Sequence, residues 1–342
     1  MLKRFTLAGA HCGALVCFAL LALMPCPLPA QAPQSDQDEP SAGTLKVQVD
    51  VVNVFFNVKD KKGLLIPGLS KDNFEIAEDG RPQTIKYFAA DTDQPLTLGI
   101  LIDTSPSQTR VLPMEQEVGA AFLNQVLRKK DMAFVISFDA DVDLLQDFTN
   151  DTRLLRVALN KTKIGGASPQ GGFSNIPGIG QGPVPAGRDA CCTHLYDAVY
   201  LGAKDRLSTE VGRKAMIILT DGEDEGSKVK PREAMEAAQK ADSMVYVLLI
   251  ADRGLHGMYQ GFGAAEMKKL AEETGGRVIE VGNKFDKLKE AFDQISAELR
   301  SQYNIGYTPT NSAHDGSYRK IEVKSKEGYR IQARKGYYAQ AR

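Results

Sequence analysis

The 342-residue chain reads as an α/β protein: a doubly wound, mostly parallel sheet inserted in a small β-sandwich formed by its N- and C-terminal segments. Three observations predict this. From Thr97 the apolar runs Leu98 to Ile102, Ala133 to Phe138, Ala215 to Leu219 and Val245 to Ile250 alternate with amphipathic stretches. That is the pattern of buried parallel strands with crossover helices. Before this region, and again after residue 302, short strands show period-two alternation instead. The tail 303–338 is short for an independent domain, so it is expected to pair with 45–95 and to enclose the α/β domain 96–302.

The N-terminal thirty residues stand apart. Lys3 and Arg4 precede an apolar run from Leu15 to Met24 that ends in Pro25, Pro27 and Pro29, the layout of a secretory signal. The run is short for a membrane span. Cleavage near Ala30 is expected, leaving an exported protein (periplasmic, cell-surface or secreted) with no stable membrane span; an uncleaved anchor and a lipidated Cys26 are the alternatives. Residues 31–44 are polar and Pro-containing, a flexible leader.

Elements then follow in order. Val47, Val49 and Val51 alternate with polar residues, and after an extra Val52 the alternation resumes at Val54, Phe56 and Val58, which predicts a bulge. Asp79-Gly80 is a hairpin tip between Phe74-Glu75-Ile76 and Thr84 to Phe88. In the α/β region helices are predicted around 114–128, 151–161, 194–207, 231–241, 264–274 and 285–302. The last carries Phe285, Leu288, Phe292, Ile295 and Leu299 on one stripe. Asp143 to Phe148 follows its preceding strand after a short turn and is expected as an antiparallel edge strand. In the tail, Ile321 and Val323 are expected to pair with Tyr329, Ile331 and Ala333 around Glu327-Gly328.

Composition limits the function classes. With 43% hydrophobic and 25% charged residues the chain is an ordinary globular one. Its 42 Lys and Arg nearly cancel 43 Asp and Glu, for a net charge of −1, so it lacks the electrostatic footprint of a nucleic-acid binder. Signal removal leaves only Cys191 and Cys192, which gives no disulfide framework, and His194, His256 and His314 are too scattered for a His-rich zinc site.

The chemistry-bearing residues gather at predicted strand exits. Ile102-Asp103-Thr104-Ser105-Pro106-Ser107 places one carboxylate and two hydroxyls after the first α/β strand, and Leu219-Thr220-Asp221-Gly222 brings another carboxylate to the same edge. Ligands of open α/β sheets collect at such ends. Thr193 opens a helix after the Gly/Pro-rich stretch 165–187. All are hard oxygen donors, suited to Mg²⁺, Mn²⁺ or Ca²⁺.

Here the chain resembles the von Willebrand factor A (VWA) domain, whose metal-ion-dependent adhesion site uses Asp-x-Ser-x-Ser, a distant Thr and a later Asp. The matching positions are Asp103, Ser105, Ser107, Thr193 and Asp221. Thr193 to Ala198, Leu219 to Asp224, Phe74-Glu75-Ile76 and Glu78-Asp79-Gly80 also resemble phrases of the VWA-related proteins abundant in acidobacterial genomes, so the resemblance spans the mature chain.

The resemblance implies that Ser105, Ser107 and Thr193 bind a divalent cation directly, with Asp103 and Asp221 acting through water or sharing coordination. Neutral hydroxyls leave the ion underneutralised, so its open position attracts a carboxylate from a partner protein. The implied function is non-enzymatic binding or adhesion. A metal-dependent hydrolase or phosphatase with Asp103 as nucleophile is the rival, although position 105 is serine where aspartyl phosphatases carry a second aspartate. A structural envelope-assembly module with an inactive metal site is the third reading, kept open by Pro106 where the family often has glycine. Cys191 and Cys192 stand where relatives frequently have Gly-Gly; they read either as two small loop residues or as a strained vicinal disulfide.

Three further features have plainer readings. Asp139, Asp141 and Asp143 imitate the start of a calcium loop but lack its glycine and terminal glutamate, so they are expected as a hairpin turn with outward carboxylates. Glu223, Asp224 and Glu225 read as a solvated acidic loop, and Tyr329, Tyr337 and Tyr338 as core and rim of the sandwich.

Overall fold

In chain order the elements are β1 (Val52–Lys59), β2 (Phe74–Glu78), β3 (Arg81–Gln83), β4 (Ile85–Ala90), β5 (Leu96–Asp103), α1 (Leu112–Val126), β6 (Met132–Phe138), β7 (Val142–Thr149), α2 (Thr152–Lys161), α3 (Leu195–Leu201), β8 (Arg213–Thr220), α4 (Pro231–Lys240), β9 (Ser243–Leu249), α5 (Gln260–Thr274), β10 (Val278–Glu280), α6 (Phe285–Arg300), β11 (Tyr303–Tyr307), β12 (Tyr318–Ser325), β13 (Arg330–Ala333) and β14 (Gly336–Tyr338). The structure, a computed structural model, describes residues 51–90, 94–165, 192–250 and 260–341. The expected signal and leader, Val47 and Val49, Cys191 and nearly all of the Gly/Pro-rich stretch lie outside the described residues.

Strands β5, β6, β8, β9 and β10 run parallel and β7 antiparallel at the edge, in the order β10-β9-β8-β5-β6-β7. The central strands β5, β6, β8 and β9 are mostly apolar and buried at nearly every position, so both faces are covered. Leu96, Leu98, Ile100 and Ile102 of β5 pack on one side with Phe122 of α1, Leu155 of α2 and Phe292 of α6. Leu101 points to the other side, with Leu195 of α3, Ala234 of α4 and Met267 of α5. β10 was not anticipated: Val278-Ile279-Glu280 is too short a run to register as a strand without its partner β9.

The two ends of the chain interleave in two antiparallel sheets, β13-β1-β11-β4 and β14-β12-β2-β3. These close on one apolar core that includes Val54, Phe56, Phe74, Ile76, Tyr303, Ile305 and Ile321. Tyr329 and Tyr337 pack against that core, and Tyr338 meets Tyr318 edge-on with ring centroids 5.2 Å apart.

Three sequence expectations change here. β12 and β13 do not pair around Glu327-Gly328; that turn carries the chain from one sheet to the other, so Ile321 and Ile331 approach the same core from opposite faces. The strand after Asp79-Gly80 divides at Thr84, β3 pairing with β2 and β4 with β11. The bulge expected at Val51–Val52 adjoins residues outside the described ones; from Val52 on, β1 pairs with β11 without a shift, and the register shift between Gly306 and Tyr307 lies in the pairing of β11 with β4. The helix expected over 194–207 ends at Leu201 and widens into a π-turn over Gly202–Arg206, where Gly202 packs on Met216 and Leu101.

Buried polar bonds fasten the inserted domain to the sandwich. Asn57 donates to the Glu298 carbonyl at 2.8 Å, and the Glu298 carboxylate accepts from Lys59 and Arg277, both at 2.8 Å.

Candidate metal centre

The sheet order fixes where a ligand crevice lies. From β5 the chain adds β6 on one side and later β8 on the other, so the connections leaving the C-terminal ends of β5 and β8 turn in opposite directions. A crevice opens at such a switch point. Asp103 is the last residue of β5, and Asp221 follows the last residue of β8.

Asp103 is fully buried. Its Oδ1 accepts the Ser105 N–H at 2.9 Å and its Oδ2 the Thr220 hydroxyl at 2.7 Å, so it ties the two strand exits together. Ser105 Oγ stands 2.9 Å from Ser107 Oγ; Ser105 is buried and Ser107 exposed, which carries the hydroxyl pair from the interior to the surface. Pro106 does not disrupt this loop. It starts a 3₁₀ turn over Pro106–Gln108, where its missing N–H is not needed and its fixed φ fits.

Thr193 sits on the same edge. Its N–H and carbonyl both bond to the Glu225 backbone, at 2.9 and 3.0 Å, and the next N–H, of His194, donates to the Asp139 carbonyl at 2.7 Å. The structure thus joins Asp103 directly to Ser105 and to Thr220, and Ser105 to Ser107. Thr193 and Asp221 flank that cluster from neighbouring loops. The Asp221 carboxylate accepts the Glu223 N–H at 3.1 Å.

Asp139 corrects an expectation. Its carboxylate is turned inward, accepting the Thr104 hydroxyl at 3.0 Å and the Asp141 N–H at 3.1 Å. With its carbonyl on His194, it clamps the Asp103 loop to the Thr193 loop and acts as a positioning residue. Asp224 is likewise only partly solvated: it accepts from Ser227 Oγ and from the Tyr196 N–H.

Sequence reasoning missed Glu115. It lies on α1, is fully buried, and feels the charges of both Asp103 and Asp221. Its signal was present: Leu112, Glu115, Gly119, Phe122 and Val126 repeat at three- and four-residue intervals and are all buried, so the carboxylate occupies the core stripe of its helix.

Electrostatics sets what this edge can do. Burial, reinforced by the charge of Asp221, pushes the Asp103 carboxyl up to about 7 against the bonds from Ser105 and Thr220. Burial also drives Glu115 well above the ordinary carboxylate range, with Asp103 and Asp221 adding to it. Like charges crowded in a dry crevice favour a bound cation. The donor set therefore fits a hard divalent ion: hydroxyls of Ser105, Ser107 and Thr193, with the carboxylates of Asp103 and Asp221 behind them. Among the described residues no group of three or more His, Cys, Asp and Glu side chains is arranged to hold a metal, so any ion here depends on hydroxyl donors.

Gly222 shapes the exit after Asp221. Its φ of +87° is left-handed, and α5 comes so close that a Cβ on Gly263 would lie 2.0 Å from the Gly222 carbonyl oxygen. Gly222→Ala is expected to lower stability by about 1–2 kcal/mol and to weaken cation binding by tilting Asp221; a urea midpoint and a metal titration equal to wild type would contradict this.

No family model matches the chain, and no curated protein matches it. Solved structures similar to it include VWA-domain proteins. The conserved hypothetical protein BatB from Bacteroides thetaiotaomicron is 20% identical, covering 60% of this chain and 100% of its own, with a TM-score of 0.43. Proximal thread matrix protein 1 from the mussel byssus, with a zinc-occupied MIDAS motif, is 14% identical over 65% of this chain and 50% of its own, with a TM-score of 0.46. The vWF domain of the type V pili tip protein Mfa5 from Porphyromonas gingivalis is 13% identical over 60% of this chain and 95% of its own, with a TM-score of 0.43.

Proposed function

We propose that this chain is an exported, non-enzymatic binding protein whose α/β domain, of VWA type, holds a divalent cation and through it engages a carboxylate on a partner protein. The observation that supports this most is the switch-point cluster: Asp103 buried between Ser105 and Thr220, with the Ser105–Ser107 hydroxyl pair leading outward. Ser105, Ser107 and Thr193 would hold the ion, Asp221 would face it from the β8 exit, and Asp103 would orient the loop. Bound there, Mg²⁺ or Mn²⁺ would supply an electrophilic coordination position facing solvent.

Asp103 has no exposed surface and both oxygens engaged, which supports a holding role over a nucleophilic one. The sandwich would serve as stalk or spacer. Export rests on the N-terminal pattern of charges, apolar run and prolines; among the described residues no helix is long and apolar enough to cross a membrane.

Calorimetric titration of Mg²⁺, Mn²⁺ and Ca²⁺ into the metal-stripped protein tests the reading. Saturable one-site binding is expected, lost in Ser107→Ala and in Asp221→Ala. Binding that survives both substitutions, or none in the wild type, would turn the reading toward a structural module.

A further inference from the structure

A cavity of about 240 Å³ lies where the α/β domain meets the sandwich. Phe55 of β1 lines it from the sandwich side, turned away from the sandwich core and packed against the α/β core. Lys214, the second residue of β8, and Ser243 and Met244, the first two of β9, line it from the sheet. It therefore sits at the N-terminal end of the parallel strands, opposite the switch-point cluster. Arg334, one residue beyond β13, stands on a third side. Sites for small ligands collect at such junctions, with apolar walls and a few convergent polar groups.

Two of those polar groups are placed at a cost. Lys214 and Ser243 are register partners in the parallel pair β8–β9, so their side chains leave the same face of the sheet side by side. Ser243 is 2% exposed, and its hydroxyl has no hydrogen-bond partner among the described residues. Alanine there would carry no such deficit. Lys214 is 9% exposed, and its ammonium donates to the Glu210 carbonyl at 2.9 Å, a neutral acceptor for a group with three donors. Burial pushes its pKa below the ordinary lysine value, Asp242 and Arg334 act on it with opposite signs, and the Glu210 carboxylate adds less. Asp242 is itself ion-paired with Arg334, so the carboxylate that acts most on Lys214 is already engaged.

We propose that this junction cavity binds a small organic monocarboxylate, its carboxylate accepting from the Lys214 ammonium and the Ser243 hydroxyl and its apolar body lying against Phe55 and Met244. Such a ligand gives the Ser243 hydroxyl a partner and the buried ammonium a counter-ion, in charge-assisted bonds of the stronger kind. The volume falls below the roughly 300–1,000 Å³ of sites for drug-sized ligands, which suits one charged group on a short apolar body. Because Phe55 belongs to the sandwich and Lys214 and Ser243 to the α/β domain, the ligand also bridges the two. The site is independent of the cation cluster.

The test is sodium benzoate titrated into the protein isotope-labelled at its methionine methyl groups and followed by NMR, with benzamide and benzylamine as the neutral and cationic counterparts of the probe. Chelator is present throughout, so that no metal at the cation cluster captures the carboxylate. Benzoate is expected to shift the Met244 methyl signal saturably, the signal being identified by its loss in Met244→Leu. Lys214→Gln is expected to weaken benzoate binding by about 10-fold or more, and Ser243→Ala by about 3- to 10-fold. A Met244 methyl signal unmoved by benzoate, a response to benzamide or benzylamine as strong as that to benzoate, or wild-type affinity in either variant would each overturn the proposal. If Lys214→Gln does not fold, Ser243→Ala decides alone, since wild-type affinity there would mean that the cavity holds the probe without its polar end.

Discussion

In metal-free buffer the wild type is expected to lose stability between pH 4 and 7, and Asp103→Asn is expected to flatten that decline and to abolish stabilisation by Mn²⁺. An unfolded aspartate loses its proton near 3.9, whereas burial, with the Asp221 charge added, lifts folded Asp103 to about 7. Between those values the folded chain binds more protons than the unfolded one. This group's contribution is therefore fully present below the unfolded value and is lost as pH rises through the folded one. The loss is about 4 kcal/mol at pH 7 by the linkage relation.

Asparagine carries no such titration. It can still accept the Ser105 N–H, and the Thr220 hydroxyl can reverse its role to accept from the amide. Urea unfolding of both proteins at pH 4, 5.5, 7 and 8 in chelator reads the difference, which also includes the relief of Glu115 when the Asp103 charge is removed. Parallel curves would show that Asp103 does not carry the decline. Mn²⁺ should stabilise only the wild type, by an amount that grows with the ratio of free ion to dissociation constant.

The parts of the fold legible in the sequence are those where burial itself writes the pattern. Strands β5, β6, β8 and β9 are apolar on both faces and could be located to within two residues of their ends. What could not be read was pairing. Ile321-Val323 and Ile331-Ala333 flank a Gly-containing turn, and a hairpin within one sheet and an arch between two sheets require the same alternation. The same limit hid Asp139: an aspartate in a turn reads as solvated, and only the approach of the Thr104 hydroxyl from another loop turns its carboxylate inward.

For the candidate site, Asp103, Ser105, Ser107 and Asp221 follow from strand exits and spacing, since a strand end dictates which residues reach the edge. Glu115 required reading a charged residue as part of an apolar stripe. Charge outweighs position in such a reading, although Leu112, Gly119, Phe122 and Val126 mark the position plainly.

Asp131→Ala is expected to destabilise the protein by about 3–5 kcal/mol at neutral pH, the scale of removing one partner from a buried ion pair. The Asp131 carboxylate accepts the Leu96 N–H at 2.9 Å, the Arg128 N–H at 2.8 Å and the Arg300 guanidinium at 2.6 Å. Leu96 is the first residue of β5 and Arg300 the last of α6, so one buried side chain fastens the place where the chain enters the α/β domain to the place where it leaves. Alanine strands a backbone donor and a partly buried cation together. Burial alone would raise the Asp131 pKa, but Arg300 and the two N–H donors outweigh it and hold the carboxyl below its ordinary value. The stability it contributes is thus present above the unfolded value and lost as pH falls through the folded one, so wild type and variant should begin to converge at about pH 3.9 and meet only below the lower, folded value. A constant gap down to pH 2 would show that lost packing, not the ion pair, is responsible. Because Asp131 faces the N-terminal end of β5 and the cation cluster lies at the opposite end, the variant should bind Mn²⁺ with wild-type affinity at temperatures where it stays folded. A weakened affinity there would mean that the two ends of β5 are coupled, and that the sandwich junction sets the geometry of the site.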